Sequence, residues 1–262
     1  MRSIRWICAG LILLTTLNLR AADDALVHRE WTVDGVKREA LVHPSDDKTP
    51  APLVFVLHGH GGNSRQVARS FHIHDVWPEA IVVYPQGLPT PGRLTDPDGK
   101  KNGWQKEIGD QNDRDLKFFD AMLESIRKDQ KVDDSRIYVT GHSNGGSFTY
   151  LLLAARGDVF AAVAPSGALE AHDIKQMKPK PLFHIAGEND PLVKFDWQRQ
   201  MIDAMIRKND CDPKGTKETD VMTRYESKIG APVVTYIFNG GHAVPPEAPA
   251  EIVKFFKSQK GK

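Results

Sequence analysis

The chain has 262 residues, of which 40% are hydrophobic and 26% charged, and its 35 basic and 34 acidic side chains leave a formal net charge of +1. This composition excludes collagen-like, low-complexity and disordered chains, and it supplies no field strong enough to gather nucleic acid or an anionic membrane by charge alone. The length suits one large α/β domain or two small ones, and either can bury a full core.

From the N-terminus, Arg2 and Arg5 precede an apolar run over 6–19, which ends at Leu19-Arg20-Ala21. A basic start, a short apolar segment and a small residue at the cut are the marks of a secretory leader, and the run is too short for a bilayer-spanning helix. We expect cleavage after Ala21, a leader over 1–21, a single catalytic domain over 22–262, and a secreted product, periplasmic or extracellular, that is free of the membrane once cleaved. The leader's three arginines leave with it, which takes the net charge to −2. Cys8 leaves as well, so Cys211 is expected as a lone buried thiol, with no internal disulfide framework and no cysteine-based zinc site.

Short apolar runs then alternate with periodic helical segments, the pattern of a mostly parallel sheet covered by helices on both faces. Runs 31–33 and 36–42 flank Asp34-Gly35, a hairpin signal. Runs 53–57 and 81–84 are continuous and apolar, as strands buried on both faces are. Leu116, Phe119, Met122, Leu123 and Ile126 make a helical stripe. A third buried strand is expected at 137–140, then a second stripe of Phe148, Leu151, Leu152 and Ala155 closed by Gly157 as a C-cap. Strands are expected at 161–164 and 182–186. A helical face of Trp197, Met201, Ile202, Met205 and Ile206 follows. The last strand pair is expected at 224–227 and 233–238, and Ile252, Val253, Phe255 and Phe256 mark a closing helix. The segment 85–110, rich in proline and glycine, has little periodicity and reads either as a functional surface loop or as a plain solvated insertion.

Gly141-His142-Ser143-Asn144-Gly145 fits G-x-S-x-G, between a predicted strand and a predicted helix, the context that a nucleophile elbow requires. Flanking glycines permit the sharp turn, and the new helix supplies unpaired amide donors. Ser143 is therefore the expected nucleophile; the bland alternative is a helix-capping serine. A nucleophilic serine needs a base and an orienting carboxylate, later in the chain and at strand ends. Asp190, in Gly187-Glu188-Asn189-Asp190-Pro191, and His242, after Asn239-Gly240-Gly241, fill those roles, with Glu188 the rival acid. His58-Gly59-His60-Gly61-Gly62 follows the strand at 53–57 and can aim an amide at an oxyanion. His60 is the expected donor, Gly61 the alternative, and Asn144, next after the nucleophile, supplies the other. His58, His60, His72 and His74 lack the spacing of a metal site and read as surface or packing histidines, and His142 reads as packing.

With these residues in place, the chain resembles the α/β-hydrolase esterases grouped with polyhydroxybutyrate depolymerases and with feruloyl or acetyl-xylan esterases, the carbohydrate esterase family 1 type. The resemblance runs through the His58–Gly62 turn, Val83-Tyr84-Pro85-Gln86-Gly87, Gly103-Trp104, the stretch Tyr138 to Gly146, the Asp190 loop, Ala231-Pro232-Val233-Val234 and Gly240-Gly241-His242. It implies a secreted serine esterase on an α/β-hydrolase fold with no large lid domain. It implies no cofactor and no metal, a catalytic triad on Ser143, Asp190 and His242, and a small-molecule or polysaccharide-linked ester as substrate. Trp104 falls where such enzymes line their cleft and is expected either to stack on substrate or to pin the loop as a core residue. His60, the missing tryptophan after His242 and the unpaired Cys211 depart from the common pattern and leave the ester open among feruloyl, acetyl and hydroxyalkanoate. Outside this reading stand a serine peptidase on the same fold and a binding module that has lost catalysis.

Overall fold

The computed structural model describes residues 26–260 apart from 47, 93–95 and 171; the leader and its cleavage site lie outside the described residues. The described residues begin with two strands, β1 (Val27–Val33) and β2 (Val36–His43), joined by Asp34 at φ 49° and Gly35 at φ 78°. Positive φ at both central positions is the type I′ turn that matches strand twist, and it sets the antiparallel register from Val27 opposite Val42 to Val33 opposite Val36.

The central strands are β3 (Ala51–Leu57), β4 (Ile81–Pro85), β7 (Val132–His142), β8 (Ala162–Ser166), β9 (Leu182–Gly187) and β12 (Val233–Phe238). They lie in the order β4-β3-β7-β8-β9-β12, and each neighbouring pair is parallel. The margins are antiparallel: β1-β2 beside β4, and β11 (Met222–Tyr225) with β10 (Thr216–Lys217) beside β12.

Alternation along these strands builds two cores. Leu53, Phe55 and Leu57 point to the face covered by α3 (Arg114–Asp129), α4 (Asn144–Arg156) and α5 (Phe195–Lys208). Val54 and Val56 point to the opposite face, covered by α1 (Ser64–Phe71), α2 (Ile73–Val76) and α6 (Ala248–Lys257). Burial on both sides explains the unbroken apolar runs, since neither face of a central strand meets water.

Several expectations shift. Helix α1 buries only Val67, Ala68 and Phe71, too few for a legible stripe; it is set by its cap, Asn63 Oδ1 accepting the Gln66 N–H at 2.9 Å. The penultimate long strand covers 222–225 rather than 224–227, and β10, with both residues exposed, carries no apolar signal. Gly157 ends α4 in the right-handed region, at φ −53°, and opens a short 3-10 turn, so it is not the left-handed cap that a glycine there suggests. Cys211 is a free, buried thiol. No helix of the described residues is long and apolar enough to cross a membrane.

Candidate active site

Ser143 stands between β7 and α4 with φ 58° and ψ −121°, a conformation rarely tolerated outside glycine. Its N–H donates to Ser166 O on β8 at 2.8 Å, and its side chain makes no capping bond, which sets aside the capping reading. The turn fits because its flanking positions lack side chains. A Cβ on Gly145 would lie 2.4 Å from Leu57 O, and one on Gly141 would lie 2.6 Å from Gly145 O. The serine is half-buried, at the C-terminal edge of the sheet where open α/β sheets place their sites.

The ends of β9 and β12, beyond β8 in the sheet, carry the other candidates. Asp190 follows β9 and His242 follows β12; His242 Nδ1 lies 2.7 Å from Asp190 Oδ2. Asp190 Oδ1 accepts the N–H groups of Leu192 and Val193 at 2.8 and 2.9 Å, which fixes the carboxylate edge that faces the imidazole. Glu188, the rival acid, is exposed. The pair is carried beside the elbow by the end of β8. Ser143 is bonded to Ser166, and a Cβ on the following residue, Gly167, would lie 3.3 Å from His242 Cε1. The His142 ring packs on the His242 ring at 4.5 Å, with its Nδ1 3.1 Å from Ser166 Oγ. Burial, joined by the nearby His242, pushes His142 down to about 4, so a neutral ring lies under His242 at physiological pH.

The glycine-rich turn after β3 closes the third side. A Cβ on Gly59 would lie 3.4 Å from Ser143 Cβ, so this turn faces the serine. His58 locks it. Its Nε2 accepts the Gly87 N–H at 2.9 Å, which leaves Nδ1 protonated to donate to Gly59 O at 2.8 Å; burial pushes the ring down to about 4. Asn144 is bonded by its side chain to the main chain of Trp104 in both directions, Oδ1 accepting at 2.7 Å and Nδ2 donating at 3.2 Å. The backbone N–H of Asn144 opens α4 and has no intrahelical acceptor.

Trp104 corrects an expectation. It does not line a cleft: only 1% of it is exposed. Its indole stacks on Phe148 at 5.3 Å and 7°, packs on His58 at 4.9 Å and donates Nε1–H to His58 O at 2.8 Å. With both faces covered and its one polar atom satisfied, it pins the 85–110 segment to the site and offers no surface for stacking. That segment folds back as the short hairpin β5 (Leu88–Pro89) and β6 (Asn102–Gly103). Asn102 O accepts the Gly61 N–H at 2.7 Å, and Asp96 accepts the Lys101 N–H at 2.7 Å with His60 Nε2 3.4 Å away. Asp96 and Asn102 thus support the glycine-rich turn, a role that no motif in the sequence marks. The turn tetrapeptide Asp96-Pro97-Asp98-Gly99 signals only the return of the chain.

Three of the four histidines considered as metal ligands go to separate partners, His58 to Gly59 and Gly87, His60 to Asp96 and His74 to Tyr84, and the fourth, His72, stands in a left-handed turn at φ 34°. Among the described residues, His28, Glu30 and Glu39 alone bring three such ligand atoms within reach of one ion, on the exposed β1-β2 surface. A groove lined by Pro50, Trp77, Arg136 and Lys257 opens at the opposite end of the sheet and contains none of the candidate residues.

A parallel sheet between helices, a serine on a strand–helix elbow and a carboxylate–histidine pair on later strand ends define the α/β-hydrolase class. The dienelactone hydrolase family model matches residues 39–212, and the chain belongs to that family. It is similar to a probable feruloyl esterase C of Aspergillus niger, at 29% identity over 75% of this chain and 72% of the relative. A second probable feruloyl esterase C, from Aspergillus flavus, is 28% identical over 95% of this chain and 96% of its own length. Among solved structures, an acetyl xylan esterase from Aspergillus awamori superposes with a TM-score of 0.62 at 14% identity, covering 88% of this chain and 99% of that one, a likeness of fold. Family and relatives make this protein a carboxylic ester hydrolase.

Proposed function

We propose that the protein is a secreted serine esterase that cleaves feruloyl or acetyl esters of plant polysaccharide through a Ser143–Asp190–His242 triad. The observation that carries the reading is the 2.7 Å pairing of His242 Nδ1 with Asp190 beside the strained elbow of Ser143. In this mechanism His242 Nε2 takes the hydroxyl proton as Ser143 Oγ attacks the ester carbonyl. Asp190 holds the tautomer with hydrogen on Nδ1 and stabilises the imidazolium. The N–H groups of His60 and Asn144 bind the oxyanion. The C–O bond to the alcohol then breaks, the alcohol leaves with the proton from His242, and the acyl group stays on Ser143. Water, deprotonated by the same imidazole, releases the acid and restores the serine.

The activities for which relatives are named, feruloyl esterase and a bifunctional acetylxylan esterase/xylanase, support the substrate class. The leader over 1–21, with one catalytic domain over 22–262, supports export to where such polymers are found. The test is release of product from methyl ferulate and from 4-nitrophenyl acetate, with Ser143→Ala as the blank. Ferulate release that dies in Ser143→Ala supports the feruloyl assignment. Cleavage of acetate alone keeps the triad and moves the substrate to acetyl or short hydroxyalkanoate esters. Turnover that survives in Ser143→Ala overturns the triad.

A further inference from the structure

A line of buried polar side chains leads away from Asp190 into the core. Gln198, His184 and Tyr150 are all 0% exposed, and they come from α5, β9 and α4. Gln198 Nε2 lies 3.2 Å from Asp190 Oδ2 and 2.7 Å from Val193 O. Gln198 Oε1 lies 3.3 Å from His184 Nε2, and His184 Nδ1 lies 2.7 Å from the Tyr150 hydroxyl.

The direction of every hydrogen bond in this line is fixed by its ends. Asp190 Oδ2 and Val193 O are both acceptors, so the nitrogen of the Gln198 amide must face them; the flipped amide would set three oxygens together. Oε1 then accepts, so His184 carries its hydrogen on Nε2. His184 Nδ1 is left as the acceptor, and Tyr150 O–H donates to it. Every donor points toward Asp190. Burial pushes His184 down to about 4 and raises Tyr150 well above its usual range, so neither group changes protonation near neutral pH and the order is stable. A carboxylate whose side chain is 1% exposed needs such support. Among the described residues its one ion-pair partner is His242. Its remaining hydrogen bonds come from two backbone amides and Gln198.

We infer that Gln198, held by His184 and Tyr150, is a positioning residue for Asp190: a one-way chain of donors ends on the oxygen that also binds His242, and so fixes the carboxylate against the imidazole. Aligned bonds in a low-dielectric core polarise one another, so the far end of the chain contributes as well as the near end. This rests on the triad reading of the previous section, since Gln198 acts through Asp190.

The experiment compares Gln198→Met and Tyr150→Phe with the unaltered protein. Methionine keeps the length of the side chain and its helix preference but loses the donor; phenylalanine removes one hydroxyl, four hydrogen bonds away from His242. Two readouts are taken on protein shown to be folded by thermal unfolding. The first is the downfield proton resonance of His242 Nδ1–H, which reports the bond to Asp190 and needs no substrate. The second is kcat and KM on 4-nitrophenyl acetate, with Ser143→Ala alongside. For Gln198→Met we expect the resonance to move and kcat to fall about tenfold or more, with KM within about twofold, as for loss of a group that orients the reacting one. Tyr150→Phe moves the same resonance in the same direction by less. A folded Gln198→Met with resonance and kcat unchanged overturns the inference; should it not fold, Tyr150→Phe decides, and a lower melting temperature with an unchanged resonance overturns it equally. Turnover that persists in Ser143→Ala counts against the triad instead, and the resonance still reads Gln198.

Discussion

Asp190 and Glu188 are two residues apart on one loop, yet only Asp190 is turned inward to bond His242 at 2.7 Å. The cause is local. The N–H groups of Leu192 and Val193 fold back onto Asp190 Oδ1, an Asx-type turn that draws its carboxylate under the loop, while Glu188 is left exposed. The two acids therefore separate cleanly under mutation. Asp190→Asn, which keeps the shape but presents a donor to His242 Nδ1, is expected to lose about 10⁴-fold in kcat. Glu188→Gln is expected to stay within about twofold, as an exposed change away from the reacting atoms does. Steady-state kinetics on 4-nitrophenyl acetate measure both, and an active Asp190→Asn would remove Asp190 from the proposed triad.

Among the elements, the 85–110 segment joins the two sides of the candidate oxyanion pocket. It meets the glycine-rich turn through Gly61 N–H and Asn102 O, and it meets the elbow through the Asn144 amide and Trp104. Gly103 sits where these meet: a Cβ there would lie 2.7 Å from His60 Nδ1 and 2.8 Å from Asn144 Oδ1. Gly103→Ala must push both apart. It should lower kcat about tenfold or more, while overpacking costs about 1–3 kcal/mol and leaves the chain folded; urea unfolding beside kinetics separates the two effects. The far end of the segment is held by a buried pair, Arg38 with Asp115 at 2.8 Å, exposed by 1% and 0%. The guanidinium also lies over the Phe118 ring, with Cζ 4.1 Å from its centroid, and Asp115 Oδ2 accepts the Gln105 N–H at 2.8 Å. Arg38→Met takes away one of the two cations beside Asp115, leaving Arg114 Nε at 3.5 Å, and is expected to cost on the order of 3 kcal/mol, read by urea unfolding.

Elements whose signal is their own composition were legible in the sequence: the central strands, the turn at Asp34-Gly35, and the elbow with its glycines. What was not legible depends on partners. Trp104 reads as an aromatic in a loop, and only Phe148 and His58, 44 and 46 residues away, make it a buried pin. Helix α1 is held by a cap and three apolar contacts, below the reach of periodicity. On α5 the expected apolar face includes Trp197, but Trp197 is 43% exposed and Gln198 takes the buried place beside Met201, Ile202, Met205 and Ile206; a glutamine carries no hint that its amide ends on a carboxylate from another loop.

At the scale of the whole molecule, three imidazoles are enclosed without a proton to spare. Burial is the first cause of depression for His58, His142 and His184, and each is pushed from 6.5 to about 4. They serve different parts of the site: His58 locks the glycine-rich turn, His142 lies under His242, and His184 stands in the chain behind Asp190. The sign of the effect on stability follows from their common direction. Above pH 6.5 all three are neutral whether the chain is folded or not, and their contribution is fully present. Between about 6.5 and about 4 the unfolded chain takes up protons that the folded chain refuses, so stability falls as the pH falls, by up to ~1.4 kcal/mol per pH unit for each group. Below about 4 the folded protein binds the same protons and this loss levels off. Glu170, raised by burial, has the opposite sign but is a single group set against three. Urea unfolding at pH 7, 6 and 5 should therefore show a progressive loss of stability well above the range where carboxylates titrate. A His184→Gln variant, less stable at every pH, should show a shallower slope because one of the three refusals is gone. Unfolding free energies that stay level from pH 7 to pH 5 would mean that these rings accept protons in the folded state, and that the His58 lock and the order of donors running from Tyr150 to Asp190 do not hold as drawn.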